Sequence, residues 1–167
     1  DLVQNDAAGQ MWYRIMQTLP AEHLQQITAA ARQSALTYFS GDQSLGTAEQ
    51  AAYNSVKADV DRLTIELEVY EQRYQGFQAQ YPQLIENITR QTGWTEAQIN
   101  GEKKSLLPPE IQNFLTERGR VSGERDRLTR ELTDRKALLQ SAENEFIASL
   151  GNKWEQGIEQ QKIAVLW

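Results

Sequence analysis

The side chains that could do chemistry in this 167-residue chain are carboxylates, one histidine and a row of arginines. The carboxylates are numerous, with 23 Asp and Glu in total, but no Glu-x-x-His pattern occurs and no acid pair marks a cleft. The single histidine, His23, excludes a His-pair metal motif, and the lack of cysteine excludes thiolate sites and disulfides. Neither a nucleophile elbow nor a P-loop is present. We therefore predict no catalytic, cofactor-binding or metal site, and a protein that is not an enzyme.

Three arginines occupy positions in a helical repeat where apolar side chains are expected. They are Arg118, Arg125 and Arg135. Their guanidinium groups could form a polar ladder that sets the register of two helices, or an exposed basic stripe for an anionic partner. Alternatively, their stems cover apolar surface while their heads reach water or stack on Tyr74 and Tyr81. We favour the last interpretation.

The charge pattern argues against a nucleic-acid partner. The net charge is −6 and the pI is about 4.9. Residues 118–136 are locally basic, but acidic side chains are interleaved among them and would repel phosphates. Opposite charges four residues apart are instead typical of a solvated helix surface. The expected pairs are Asp126–Arg130, Arg127–Glu131, Arg130–Asp134 and Glu131–Arg135.

The elements that must position these side chains are long helices, of which the first is the clearest. From Tyr53 to Ile88, apolar side chains recur at intervals of three and four residues, which predicts a coiled-coil seam. A capping-box pattern at Thr47 begins this helix, and Gly93 ends it. Pro82 lies inside it, but the repeat continues beyond, so we predict a kink. The alternative is a compact bundle in which the helix is broken there.

A second, weaker repeat over residues 110–150 predicts a return helix. Two such arms with a short connection form an antiparallel hairpin most simply. Aligning their apolar positions predicts that Tyr74 faces Leu128 and that Val56 faces Phe146.

The predicted fold class is all-α, an elongated antiparallel coiled-coil helical hairpin with additional N- and C-terminal helices packing at its base. We expect short helices near 9–18 and 20–40, with Gly41 in the left-handed position that ends the second. The chain is interpreted as one helical domain, 1–167. Its parts are the N-terminal helices (1–46), the first arm (47–93), the tip (94–109), the return arm (110–150) and the C-terminal helix (151–167).

The tip is the strongest candidate for binding a partner. Its large apolar side chains lie at a distal end that offers little core to bury them, and exposed apolar clusters often bind partners. The alternative is that the tip closes upon itself as a stapled turn. The residues predicted to bind a partner are Trp94, Ile99, Leu106 and Leu107 at the tip, with Tyr70, Tyr74, Tyr81, Arg118 and Arg125 along the side.

Nearly all strong signals in the sequence specify shape, which favours a non-enzymatic structural or interaction module. We expect the hairpin to bind a protein partner or to self-associate. The segment 31–42, followed by a long helix, resembles the arrangement in helical-bundle sensor domains. That resemblance implies the alternative function, an extracytoplasmic ligand-sensing domain of a bacterial membrane receptor.

The sequence contains no window apolar enough to span a membrane, so a membrane connection would run only through flanking segments. The apolar end, 163–167, is either a helix end that docks on the core or the first turn of a membrane helix, and we favour docking. The compartment is not assigned. The lack of cysteine and of a starting methionine leans towards a periplasmic or extracytoplasmic location.

Overall fold

The computed structural model describes residues 7–166, and within them all side chains except those of residues 7–9, 12, 13, 16 and 166. It is 88% helical with no strand over that range, which confirms the all-α prediction. The two long helices pack against each other as a hairpin, and further helices flank them. The helices are α1 (Ala7–Thr18), α2 (Ala21–Ser40), α3 (Ala48–Thr92), α4 (Glu96–Asn100), α5 (Pro109–Leu150) and α6 (Asn152–Leu166), with one 3₁₀ turn at Lys104–Leu106.

Local sequence signals account for where most helices begin and end. Thr95 caps α4 through a Thr-x-x-Gln capping box, in which its hydroxyl accepts from the Gln98 amide and the Gln98 side chain accepts from the Thr95 amide. Gly93 and Gly151 follow α3 and α5 with positive φ angles of 78° and 56°, which glycine adopts without steric cost. The prediction for Gly41 is wrong, because its φ is −93° and α2 ends without a left-handed residue.

Gln50 is the polar side chain that joins the end of α2 to the start of α3. Its backbone amide donates to the Thr47 hydroxyl, as the capping pattern predicts. Its side-chain amide, however, does not complete a capping box. It donates to the carbonyls of Phe39 and Asp42, both at 2.8 Å, where the end of a helix leaves acceptors without intrahelical donors. Gln50 is buried, and its side-chain amide is satisfied by these carbonyls, which also accept from the backbone amides of Asp42 and Leu45.

Pro82 lies within α3, which continues through it as one helix of 45 residues. Because proline has no N–H, the carbonyl of Gln78 receives no helical hydrogen bond from that position. The helix tolerates this loss, so the alternative of a helix broken at Pro82 is wrong.

The chain divides into two compact units, residues 1–57 with 138–167 and residues 58–137. We call the first the terminal unit and the second the hairpin unit. In the terminal unit, α2 and α6 pack on each other and on the segments of α3 and α5 that belong to it. A side chain at Gly157 would lie 2.7 Å from the Phe39 ring, so glycine is needed for this close approach. The buried residues of this core are Ala35, Leu36, Phe39, Tyr53, Phe146 and Leu150.

The observed contacts between the two long helices do not follow the predicted pairing. Phe146 stacks on Tyr53 rather than on Val56, with 5.4 Å between ring centroids. In the hairpin unit, Tyr74 contacts Arg125 rather than facing Leu128. The prediction aligned only the apolar positions of the two repeats. It did not account for contacts of aromatic rings with each other and with arginine.

Candidate interaction surfaces of the hairpin unit

Two of the seam arginines lie flat on tyrosine rings of the opposite helix. The guanidinium carbon of Arg118 is 3.4 Å from the ring centroid of Tyr81, and that of Arg125 is 3.7 Å from Tyr74. Arg118 also donates from Nε to Oε1 of Gln78 at 2.9 Å. Stacking of a planar cation on an aromatic face is favourable and leaves the guanidinium edge free for such bonds.

The seam arginines also contact carboxylates, both across the hairpin and, for Arg125, on the neighbouring Asp126 at 3.7 Å. Arg125 lies 3.5 Å from Glu71, and only 24% of its side chain is exposed. Arg135 lies 3.9 Å from Asp59. These contacts confirm the stacking interpretation for Arg118 and Arg125. Because their heads are engaged within the hairpin unit, they do not form the exposed basic stripe that was one alternative.

The tip contains a substantial core, so the expectation that it has little to bury its apolar side chains is wrong. Ile99 is 0% exposed and Leu107 is 8% exposed. Both pack with buried residues of α3 and α5, and Trp94 packs partly buried against the same cluster. Leu106 differs, since 66% of it is exposed. Leu106 and part of Trp94 therefore lie at the surface of the tip, whereas Ile99 and Leu107 are buried beneath them.

Tyr81 joins three elements of the hairpin unit. From α3, its hydroxyl donates to Oε1 of Glu96 at 2.6 Å and accepts from Nδ2 of Asn100 at 2.9 Å, both on α4. Its ring carries Arg118 of α5. Burial, together with the hydrogen bond to the Glu96 carboxylate, raises the pKa of the phenol above 10.0, against the opposing effects of Asn100 and Arg118. Tyr81 is therefore a structural centre, and its ring is not presented at the surface.

The middle of the hairpin is thinly covered. Between Leu63 and Tyr81, α3 contributes no fully buried side chain, although every residue there is described. Tyr70, Tyr74 and Phe77 are all half-buried in that interval. Two helices bury only the strip along which they touch, so large aromatic side chains on that strip stay partly open to solvent.

An open groove runs along one side of this thin region. It comprises two cavities of about 520 and 540 Å³ that share Gln80 and Phe114. Its floor is the edge-to-face pair of Phe77 and Phe114, with 5.2 Å between ring centroids. Both rings lie on the apolar repeats of the two long helices, and those repeats predict a closed seam rather than a groove. The available signal was Gly76, a residue without a side chain beside a large aromatic one.

Charged side chains line one part of the groove. Arg120 donates to both carboxylate oxygens of Glu117, and this pairing lowers the pKa of Glu117 below 4.5. Arg73 contributes a second positive charge, 5.5 Å from the Tyr70 ring. The predicted pair Arg127–Glu131 forms further along α5 at 3.0 Å. The rim is therefore a mixture of charges around an aromatic floor.

The same side of α3 carries exposed aliphatic residues beyond the groove. Ile65 is 64% exposed and Val69 is 43% exposed. Residues separated by four, seven and four positions fall on one face of an α-helix, so Ile65, Val69, Gly76 and Gln80 form a continuous line. We call this line, with the groove, the groove face.

Neither a metal-binding group nor a membrane span occurs in the described part of the chain. Over residues 7–166, no three His, Asp or Glu side chains group in a way that could hold a metal ion. Within the same range, no helix combines the length and hydropathy that a bilayer span requires. Trp167 lies outside the described residues, so the expected docking of the C-terminal end is observed only as far as α6 packs on α2. No protein-family model, curated protein or solved structure matches this chain.

Proposed function

We propose that this protein is a non-enzymatic helical-hairpin module that binds another macromolecule through the groove face of its hairpin unit. The observation that carries the proposal is the open groove floored by Phe77 and Phe114. Half-buried aromatic side chains in a groove between helices are a common way to receive the apolar face of another helix. Aromatic residues with nearby arginine are also enriched where protein interfaces concentrate their binding energy.

The dimensions of the groove support a helical occupant. It is lined on α3 from Arg73 to Asn87, a span of roughly 21 Å at 1.5 Å per residue. That length accommodates about four turns of a partner helix, enough for several apolar contacts at helical spacing. The exposed side chain of Leu106 at the tip is a second, smaller contact in this proposal.

A photocrosslinking amino acid at Gln80 tests the proposal in the native host. Gln80 lies on the rim shared by both cavities, so the probe would contact whatever occupies the groove. The matched control is the same probe at Thr129, an exposed position on α5 that does not line the groove. We expect discrete protein adducts from Gln80 and none from Thr129. Absence of adducts from Gln80, or equal adducts from both positions, would contradict the proposal.

The contribution of the tip is tested with Leu106→Ser in the same cells. Because Leu106 is 66% exposed, its replacement should leave the fold intact. We expect the Gln80 adducts to persist with reduced yield. An unchanged yield would restrict the binding surface to the groove face.

A further inference from the structure

We propose that the occupant of the groove face is a second copy of this chain, docked antiparallel about a two-fold axis. This inference rests on the proposed function and names its partner.

The first observation is that one helix carries both an exposed side chain and an open space. Ile65 projects with 64% of its surface exposed, and Gly76 leaves open space beside the Phe77 ring. They are 11 residues apart, close to three full turns, so they share one side of α3 at a separation of roughly 16 Å.

A two-fold axis midway between these positions exchanges them. It places Ile65 of each copy over Gly76 of the other, which makes the interface self-complementary, as closed dimers require. The axis passes near residue 70, so the exposed Val69 side chains of the two copies meet beside it. Each Ile65 would then approach the Phe77–Phe114 floor of the opposite copy.

The proposed arrangement gives Gly76 a role as the site where the second helix approaches most closely. Gly76 lies inside a long helix, where glycine lowers helix stability relative to alanine. A β-carbon there would have no heavy atom within 4 Å, so no intramolecular contact requires its absence. A second helix approaching at Gly76 would use the space that a side chain would fill.

The charges fit the same symmetry. The axis places Glu66 of the second copy opposite residue 75 of the first. Arg73 lies two residues from that position, on the same side of the helix pair. The Glu66 side chain is 43% exposed and pairs with Arg62 of its own helix at 3.1 Å. Arg73 is exposed, so it would approach this carboxylate as a second cation. Repulsion between copies is also smallest here, because residues 58–137 carry 12 basic and 14 acidic side chains while the rest of the chain carries 5 and 9.

The first test compares two glycine variants of the purified chain by sedimentation equilibrium. Gly76→Gln fills this open space, whereas Gly119→Gln changes another helical glycine with open space around it that does not line the groove. We expect a concentration-dependent dimer for the wild type and for Gly119→Gln, and dimerisation weakened on the order of tenfold or more for Gly76→Gln. Circular dichroism checks that both variants remain helical.

Charge exchange and crosslinking test the pairing itself. Arg73→Glu should weaken the dimer, and adding Glu66→Arg should restore it. Since the chain has no cysteine, a variant with Ile65→Cys and Gly76→Cys should form disulfide-linked dimers, while Ile65→Cys with Gly119→Cys should not.

Three outcomes would overturn the inference. They are a wild-type chain that stays monomeric to about 0.5 mM, equal effects of the two glycine variants, and failure of the charge exchange to restore binding. If any of these occurs while the Gln80 probe still captures a different protein, the proposed function stands and the second copy is the wrong occupant. If the Gln80 probe captures nothing, the proposed function fails as well.

Discussion

The tip and the middle of the hairpin unit are built from the same two helices but are stabilised in different ways. At the tip, α4 and the 3₁₀ turn cover the ends of α3 and α5, and a buried apolar cluster results. In the middle, nothing further covers the pair, and residues 64–80 of α3 supply no fully buried side chain. The comparison teaches that a regular heptad pattern predicts that helices pair, but not how deeply their seam is buried. The buried tip residues are Tyr81, Ile88, Ile99, Leu107 and Leu115.

The largest difference should come from the same substitution in the two regions. Ile99→Ala removes a side chain with 0% exposure and should lower the free energy of unfolding by about 2–5 kcal/mol. Ile65→Ala removes one that is 64% exposed and should change it by less than about 0.5 kcal/mol. Urea titration at micromolar chain concentration measures both values. Similar losses for the two variants would mean that the middle is as well packed as the tip.

A smaller difference is expected between two tyrosines. Tyr81→Phe removes the hydroxyl that bonds Glu96 and Asn100, and should cost about 1–3 kcal/mol because one of these bonds is to a carboxylate. Tyr74→Phe keeps the ring on which Arg125 stacks, so we expect a change below about 0.5 kcal/mol. The free energies of unfolding of the two variants decide this. A larger loss for Tyr74→Phe would reverse the comparison.

Alkaline pH should weaken the tip through the same hydroxyl. The pKa of Tyr81 is raised above 10.0 in the folded protein, so the unfolded chain loses this proton first as the pH rises. The stability that the protonated phenol contributes is therefore complete below pH 10 and is lost as the pH rises through the folded pKa. We expect the melting temperature to fall more steeply above pH 10 in the wild type than in Tyr81→Phe. If the melting temperatures of the two proteins fell equally with pH, ionisation of Tyr81 would not be the cause of the alkaline destabilisation.

A small net effect is expected where an arginine of the middle is replaced by an apolar residue, because a gain and a loss oppose each other. Arg125→Leu loses the stack on Tyr74 and the contact with Glu71, but it extends the apolar seam. These changes oppose each other, and we expect a net change within about 1 kcal/mol. Thermal and urea unfolding measure it. A loss of about 3 kcal/mol or more would show that Arg125 belongs to a buried, paired network.

Much of the fold was predictable from local chemistry. The capping box at Thr95, the glycines that end α3 and α5, and the proline at the start of α5 fixed the helix ends to within a few residues. The apolar repeats of the two long helices predicted that they pair as a hairpin. Stacking of Arg118 and Arg125 on tyrosine was one of the alternatives considered, because a long stem ending in a planar cation suits an aromatic neighbour.

The incorrect predictions concern side chains whose contact partners are distant in sequence. The predicted pairing was wrong because Phe146 stacks on Tyr53 and Arg125 lies on the Tyr74 ring, contacts that a match of apolar positions does not encode. Gln50 fits a capping box by its spacing, but its side chain is turned towards the end of α2, where its amide group donates to the carbonyls of Phe39 and Asp42. Burial of Ile99 and Leu107 depended on how the 3₁₀ turn folds over α3, which no short-range pattern encodes.

The contacts of Tyr81 also bear on the order in which the hairpin assembles. Its bonds to α4 span 15 and 19 residues, the Arg118–Gln78 bond spans 40, and an ion pair of the terminal unit spans 111. Because the entropy lost on closing a loop grows with its length, short closures form at lower cost. We therefore expect the tip to nucleate folding and the arms to pair from it outward. Transition-state analysis should then give high φ-values for Ile99→Ala and low ones for Phe146→Ala.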